Sequence, residues 1–494
     1  MSAAGLALVL GCCFIIARLF NSYRHLSFIP GPFAAKFTDL WRYHSQNSNA
    51  YAERLVTLHK KHGKLVRIGP NHISVSDPSA IPIVYSTNPT WQKGPSYYGA
   101  VPVSKNRAVP TVIGMNETQH TAVRKSVGRA FTTNSLLDYE DSIEVTGLEL
   151  IQALRKQKKV DIGEWLQFFA MDMLIRITFS NSLGLLAGGQ DVDGTLAAVM
   201  ARFDHWGHWG ALPTADFAIN KSRFATALRG VSDSPLARVA QSKLDTRERD
   251  VNQSAYKDLC AKFLDGQAKY PQLVQQDEIL GIIMSTIGAG ADTTAGTLTY
   301  TLYFLSKYPA TRTKLLQEIQ SGLEHGTLSR TPKWAEVKGM PYLDAVLKES
   351  MRILPIASWG LDRIVPPGGA TIAGQFIPGG TVVGCQIDAV HLDEDVFGND
   401  ASTFRPERWL ETSEEHRRQM DRAFLAFSAG KRTCTGVHIA WLEMKKTLPL
   451  LLMNFELDLV NPDQDVRDGI RISAVKYPPP VMMKVRSRSF VTAS

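Results

Sequence analysis

Ten residues near the C-terminal end, Phe427-Ser428-Ala429-Gly430-Lys431-Arg432-Thr433-Cys434-Thr435-Gly436, place one cysteine between two glycines, with an arginine two positions before it. A cysteine thiolate is a metal ligand, and it needs a stabilising field. A glycine-rich turn entering a helix supplies one, because its backbone N–H groups can point at the sulfur. Gly430 and Gly436 also permit close approaches that a side chain would block, so a flat macrocycle can lie against the loop. Arg432 offers a cation to an acidic group on the same ligand, and Phe427 is placed to pack on the sulfur side. Taken alone, Cys434 reads more readily as a buried small hydrophobe, the commoner fate of a lone cysteine.

A second constellation is Ala289-Gly290-Ala291-Asp292-Thr293-Thr294, inside a strongly apolar stretch whose period predicts a helix from about Asp277 to Lys307. Such a helix is roughly 45 Å long and crosses the domain. Glycine costs about 1 kcal/mol in a helix interior relative to alanine, and an acid in an apolar helix needs a partner. Oxygen chemistry supplies a reason for both: Gly290 makes room for a diatomic ligand, Thr293 hydrogen-bonds it, and Asp292 relays protons through water. The other reading is a threonine bonded back to its own helix carbonyl.

Three further groups carry charge at helical spacing. Asn116-Glu117-Thr118-Gln119-His120 opens a helix on which His120 and Arg124 face together, with Lys125 nearby; on spacing alone this reads as a solvated basic face. From Pro341 the spacing of Leu343, Val346, Leu347, Met351 and Leu354 predicts a helix carrying Glu349 and Arg352 on one face. Exposed, such a pair contributes about 0.5 kcal/mol. Phe404-Arg405-Pro406-Glu407-Arg408-Trp409 follows with a further arginine. His205 and His208 stand three apart among Phe203, Trp206 and Trp209, with no carboxylate or cysteine at a metal-motif spacing, so that cluster reads as packing or as a pocket wall.

The loop matches F-x-x-G-x-R-x-C-x-G at every fixed position, and this resembles the haem-binding signature of the cytochrome P450 family. Ala289–Thr294 resembles the family's A-G-x-D/E-T motif. Glu349, Arg352 and Arg408 resemble its Glu-Arg-Arg scaffold. His120 and Arg124 stand at the spacing of its propionate-binding pair, and Arg363 resembles its second propionate arginine. Pro378-Gly379-Gly380-Thr381 departs from the usual Pro-Lys-Gly-Thr. The motifs, in the family's order, cover nearly the whole chain; the texture is fungal and loosely similar to the pisatin-demethylase-like group.

The resemblance implies a mostly α fold with small β-sheets (α+β), with haem between the long helix and the cysteine loop. It implies Cys434 as the axial iron ligand; His120, Arg124, Arg363, Arg432, Phe427 and Gly436 around the cofactor; and Asp292 and Thr293 as catalytic residues. Glu349, Arg352 and Arg408 would lock the scaffold. The implied activity is a monooxygenase that inserts one atom of O2 into an apolar small molecule of fungal secondary metabolism, such as a terpenoid, polyketide or alkaloid. A haem-thiolate isomerase or dehydratase and a haem-binding sensor are the alternatives. No flavin or dinucleotide motif is present, so electrons would come from an NADPH-dependent reductase.

Length and composition agree with one large domain over residues 30–494, since no long linker interrupts the chain after residue 32. The net charge of +8 suits an acidic electron-transfer partner or an anionic membrane, or is a diffuse solubility charge. It does not come with a nucleic-acid motif. The five cysteines are irregularly spaced and imply no disulfide framework. Residues 1–29 read as a membrane anchor and linker, with a cleaved signal peptide as the rival, since the apolar run is short of the about 20 residues of an ideal span. The apolar run Ala3–Ala17 is followed, not preceded, by basic residues, which puts the bulk of the chain on the cytoplasmic face of the endoplasmic reticulum. The Asn116 sequon would then meet no transferase. The expected pocket lining is Gly94–Met115, Phe203–Trp209, Gly288, Ala289, Ile356–Gly360 and residues near Ser473, with no evident charge for a substrate ion.

Overall fold

A computed structural model of the protein describes residues 2–87, 90–104, 107–108, 111–229, 234–250, 255–357 and 359–488. Lys105, Asn106, Val109 and Pro110 of the expected pocket loop, and Ser358 of the Ile356–Gly360 stretch, lie outside the described residues.

The long helix forms as the period predicts, over Gln276–Lys307, and carries the molecule. Its first turn is closed by Gln275 N–H donating to Glu278 Oε2 at 2.8 Å, and Tyr308 leaves the helical region ahead of Pro309. The helix Ile162–Phe179 packs most extensively against it, and both belong to the principal core. The sequence period suggests a helix running on to Leu186, but the chain turns at Ser180, which is left-handed with φ 60°. The cause is Asp172: its buried carboxylate accepts Leu183 and Gly184 N–H at 2.9 Å and Leu186 N–H at 3.0 Å. Satisfying that charge favours the loop over another helical turn.

A five-stranded sheet forms the other side, in the order Leu65–Gly69, His72–Val75, Val382–Cys385, Arg363–Ile364, Gln92–Lys93. All neighbouring pairs are antiparallel except His72–Val75 with Val382–Cys385. Lys93 lies opposite Arg363 across the last pair, which brings two cations together at one end of the sheet. A smaller three-stranded sheet joins Lys159–Asp161 and Phe455–Leu459 to Met482–Ser487. The result is the mostly α, small-sheet architecture read from the sequence.

The expected structureless loop Gly94–Met115 is more ordered than predicted, with a 3-10 turn Pro95–Ala100 and a strand pair, Val103–Ser104 with Arg107–Ala108. At the N-terminus one helix spans Ala3–His25. Among the described residues no helix is long and apolar enough to cross a membrane, so the single-pass anchor expected from Ala3–Ala17 gains no support.

Candidate active site

The cysteine loop is held on three sides. Cys434 N–H donates to Phe427 O at 2.9 Å, closing the loop, and Thr433 N–H donates to Gly430 O at 3.1 Å. Gly430 has φ +66°, and a Cβ there would stand 1.6 Å from Tyr85 O, so backbone conformation and close approach both require glycine. Tyr85 belongs to the sheet side, donating to Gly360 O at 2.8 Å and accepting Cys385 N–H at 2.9 Å. Gly436 stands just ahead of the helix Val437–Asn454; a Cβ on it would meet nothing nearer than Cys434 Sγ at 3.9 Å, leaving open space beside the sulfur. The Cys434 thiol is exposed, yet the protein around it raises its pKa, opposed by Gly436 N–H and the Arg124 charge. Phe427 turns its ring toward Trp441, at 6.0 Å between centroids.

Beside this loop the structure gathers cations. Arg124 lies 3.5 Å from Thr433 O. Arg363 is buried against Tyr85, with its guanidinium 5.1 Å from the ring centroid, and donates to Leu361 O and Asp362 O at 3.0 Å. Arg363, Lys431 and Arg432 line a pocket of about 200 Å³ in which Glu117 is the only acid among the described residues. Glu117 pairs with Arg432 at 2.8 Å and Lys431 at 3.4 Å. Lys93 reaches the same cluster and donates to Ile113 O at 2.9 Å. Burial, then the charges of Arg432 and Arg363, push its pKa well down. His120 is pushed down to about 3 by burial and by Arg432, Lys93, Arg124 and Lys431. Lys93 and Glu117 belong to no motif. Only the strand pairing, and the Asn116 cap that sets Glu117 in the first helical turn, bring them here.

The long helix contributes the opposite face. Thr293 Oγ1 donates to Ala289 O at 2.9 Å, the back-bonded arrangement, which leaves its lone pairs to accept. Asp292 is buried and points elsewhere: Tyr477 OH donates to its Oδ2 at 2.9 Å, and Gln167 Nε2 to its Oδ1 at 3.3 Å. Burial lifts its pKa to about 6 against these bonds and the Arg471 charge. Gly290 departs from expectation. A Cβ there would lie 2.8 Å from Leu174 Cδ1, so this glycine serves the contact with the helix Ile162–Phe179.

A sequence model described as Cytochrome P450 matches residues 30–485. The chain belongs to the cytochrome P450 family. A "Cytochrome P450 monooxygenase" of Aspergillus terreus is 34% identical over 90% of this chain and 92% of its own length. "Cytochrome P450 monooxygenase cicH" of Emericella nidulans is 33% identical, with 92% of each chain covered. "Cytochrome P450 monooxygenase mpaDE" of Penicillium brevicompactum is 34% identical over 91% of this chain, which spans about half (54%) of that longer protein. The protein is an enzyme of the cytochrome P450 monooxygenase class, and the cofactor of its family is a haem held by a cysteine thiolate.

This P450's residues fit such a group on their own chemistry. A flat molecule with two carboxylates finds an excess of cations over one acid. Two buried nitrogens there, His120 Nδ1 and Arg432 Nη1, make no protein hydrogen bond. Unmade bonds at buried polar atoms are costly, and an acidic ligand would supply acceptors. Cys434 lies beside the cluster with open space at Gly436.

Behind the loop, the P450's Glu349 is fully buried and bonded on both oxygens. Arg352 reaches it at 2.8 and 2.9 Å, Arg408 Nε at 2.9 Å, Arg405 N–H at 2.9 Å and Trp409 Nε1 at 3.0 Å. The pair is therefore not the weak exposed one its spacing alone suggests. His391 carries the network to the cysteine loop: its Nδ1 meets Arg352 O at 3.1 Å and its Nε2 accepts Leu425 N–H at 2.8 Å. An acceptor at Nε2 fixes the neutral tautomer with the proton on Nδ1.

Over the long helix lies a cavity of about 360 Å³ lined by Ala100, Ile113, Phe203, Trp206, Gly288 and Ala289 among others. These agree with the expected lining. Trp359 and Gly360 line a separate polar pocket by the sheet, while Ile356 packs on Gly296 and Ser473 on Gly207. His205 lies 2.9 Å from Asp216, and His208 bonds Tyr43 at 2.7 Å, so both serve packing. The cavity also contains Arg202, which the sequence reading missed because no motif marks it.

Proposed function

We propose that this P450 inserts one atom of O2 into a largely apolar small molecule of fungal secondary metabolism, with electrons from an NADPH-dependent reductase. The carrying observation is the cation cluster beside Cys434, with two buried nitrogens awaiting an acidic ligand. In this reading Cys434 is the axial ligand, and His120, Arg124, Arg363, Arg432 and Lys93 bind the propionates by charge-assisted hydrogen bonds. When bound, the haem supplies oxygen activation and oxygen-atom transfer; its thiolate donates electron density that favours O–O cleavage.

The chain's own residues do the rest. The apolar cavity orients the substrate over Ala289 and excludes water. Asp292, held by Tyr477 and Gln167, carries a proton at its carboxylate oxygens; with a pKa of about 6 it can both take up and release one near neutrality. Thr293 presents oxygen lone pairs that accept a hydrogen bond within the site. Glu349, Arg352 and Arg408 hold the cysteine loop through His391. Relatives named as P450 monooxygenases, among them cicH and mpaDE, support the monooxygenase class.

The proposal places the catalytic domain on the cytoplasmic face of the endoplasmic reticulum. Membrane association through the Ala3–His25 helix is supported by the exposed apolar residues it carries, among them Leu10 and Phe20. The net charge of +8 suits both an anionic lipid surface and an acidic reductase. The test is reconstitution with reductase, NADPH and O2: product must require all three. The reduced carbon-monoxide complex must show a thiolate-type spectrum that Cys434→Ala abolishes. Turnover without O2 and reductase would indicate an isomerase or dehydratase instead.

A further inference from the structure

The cavity over the long helix is lined mostly by apolar side chains, and its one charged lining residue among the described residues is Arg202; the Ser285 hydroxyl is committed, donating to Gly281 O at 2.7 Å and accepting Val112 N–H at 3.0 Å. Arg202, on the helix Thr195–Trp209, enters it between Val199 and Phe203. Its Nε and Nη2 both donate to Ala100 O, at 3.2 and 3.0 Å, and its Nη1 has no hydrogen-bond partner among the described residues. No described carboxylate pairs with it. The acids nearest in the chain and on the roof are committed elsewhere. Asp204 pairs with Arg471. Asp216 is shared by His205 at 2.9 Å, Lys221 at 2.8 Å and Asn220 at 2.9 Å. Lys221, itself close enough to feel the Arg202 charge, adds positive potential rather than removing it. Burial alone pushes the guanidinium down to about 10, with no anion opposing the shift.

A guanidinium lining an apolar cavity with one carbonyl as its partner is costly unless an anion completes it. One carbonyl shared by two N–H donors leaves a fork of hydrogen-bonding capacity, and that fork matches a carboxylate. Resting on the monooxygenase reading above, we propose that the substrate carries a carboxylate on an otherwise apolar, ring- or chain-like body, and that Arg202 is the residue that selects it. Phe203, Trp206, Ile113 and Met284 bind the apolar body, and Arg202 fixes its orientation by the acid end, away from the atom to be oxidised. The proposal corrects the expectation of a pocket without charge.

The experiment uses the full chain loaded with haem and two matched probe pairs: biphenyl-4-carboxylate and laurate, each with its methyl ester. Binding is read by the ligand-induced shift of the ferric Soret band, and independently by the ligand-induced rise in thermal midpoint. At least one acid is expected to bind on the order of tenfold tighter than its ester. Arg202→Gln should erase that preference while leaving ester affinity and the reduced carbon-monoxide spectrum unchanged, and Arg202→Lys should restore part of it. Equal affinity of acids and esters, an acid preference that survives Arg202→Gln, or binding of no acid by either readout overturns the assignment. A wild-type chain lacking the thiolate-type spectrum would sink the haem reading instead, and the thermal readout would still decide the fate of Arg202.

Discussion

Asp292 is the residue whose environment makes the sharpest claim. Burial raises its pKa to about 6, and Tyr477 OH opposes that rise by donating to the charged carboxylate. Gln167, Arg471 and Asp204 complete its surroundings, Asp204 pushing the other way. Because the folded pKa lies above the ordinary value near 4, the folded chain binds this proton more tightly than the unfolded chain. The contribution to stability is full below that ordinary value and is lost as pH rises through about 6. If the protonated acid supplies the proton, product formed per NADPH falls over the same range. Asp292→Asn should remove this limb from the pH profile, and Tyr477→Phe should move it to higher pH; a limb unchanged in Asp292→Asn would refute the role. Thr293→Ala removes the accepting oxygen and should raise peroxide released per NADPH, with Thr293→Ser near wild type. At this scale the sequence was legible where a motif spans consecutive residues. It singles out Asp292, Thr293 and Cys434 as candidates in that way, and His120 and Arg124 by helical spacing. Lys93, Glu117, Arg202 and Tyr477 are not singled out, because strand pairing, a helix cap and distant loops bring them in, and no local spacing encodes those contacts.

Elements explain which glycines and charges are structural. The helices Ile162–Phe179 and Gln276–Lys307 meet closely at Gly290, whose missing Cβ leaves room for Leu174. Gly290→Ala should therefore destabilise by about 1 kcal/mol, the overpacking cost reduced by alanine's better helix propensity. Leu174→Ala should cost less in that background than alone, a coupling of about 0.5–3 kcal/mol readable in urea denaturation. Strict additivity would mean that Gly290 faces a ligand instead. The Glu349 cluster behaves oppositely. Glu349→Gln leaves the buried guanidinium of Arg352 without its anion, while Arg408 keeps Asp400 at 2.9 Å, and should cost about 3–5 kcal/mol, seen as a lower urea midpoint and less haem bound per chain. The helix periods were legible because apolar residues recur every three to four positions. The stop at Ser180 was not, because the cause is a side chain, Asp172, bonding loop N–H groups that lie ahead in the sequence.

At the scale of the whole molecule the question is where the folded domain begins. The sequence suggests residues 1–29 as anchor and linker, but the buried side chain of Arg67 reaches back into that segment. Its Nη1 donates to Tyr23 O at 3.1 Å and its Nη2 to Ser22 O at 2.6 Å, while Gly69, Pro70 and Lys36 carbonyls take the remainder. His25 adds a bond to Asn71 at 3.1 Å. The last turn of the first helix is thus bonded to the sheet, and we propose a boundary ahead of Ser22. Deleting residues 2–20 should abolish binding to anionic vesicles in flotation while leaving the thermal midpoint and the reduced carbon-monoxide spectrum in place. Deleting residues 2–29 strips Arg67 of two acceptors, at about 1–3 kcal/mol, and should lower the midpoint by a few degrees. Equal midpoints for the two truncations would put the boundary back at residue 30. Undiminished flotation of the shorter deletion would assign the membrane contact to the exposed Phe217 and Phe224 rather than to the helix.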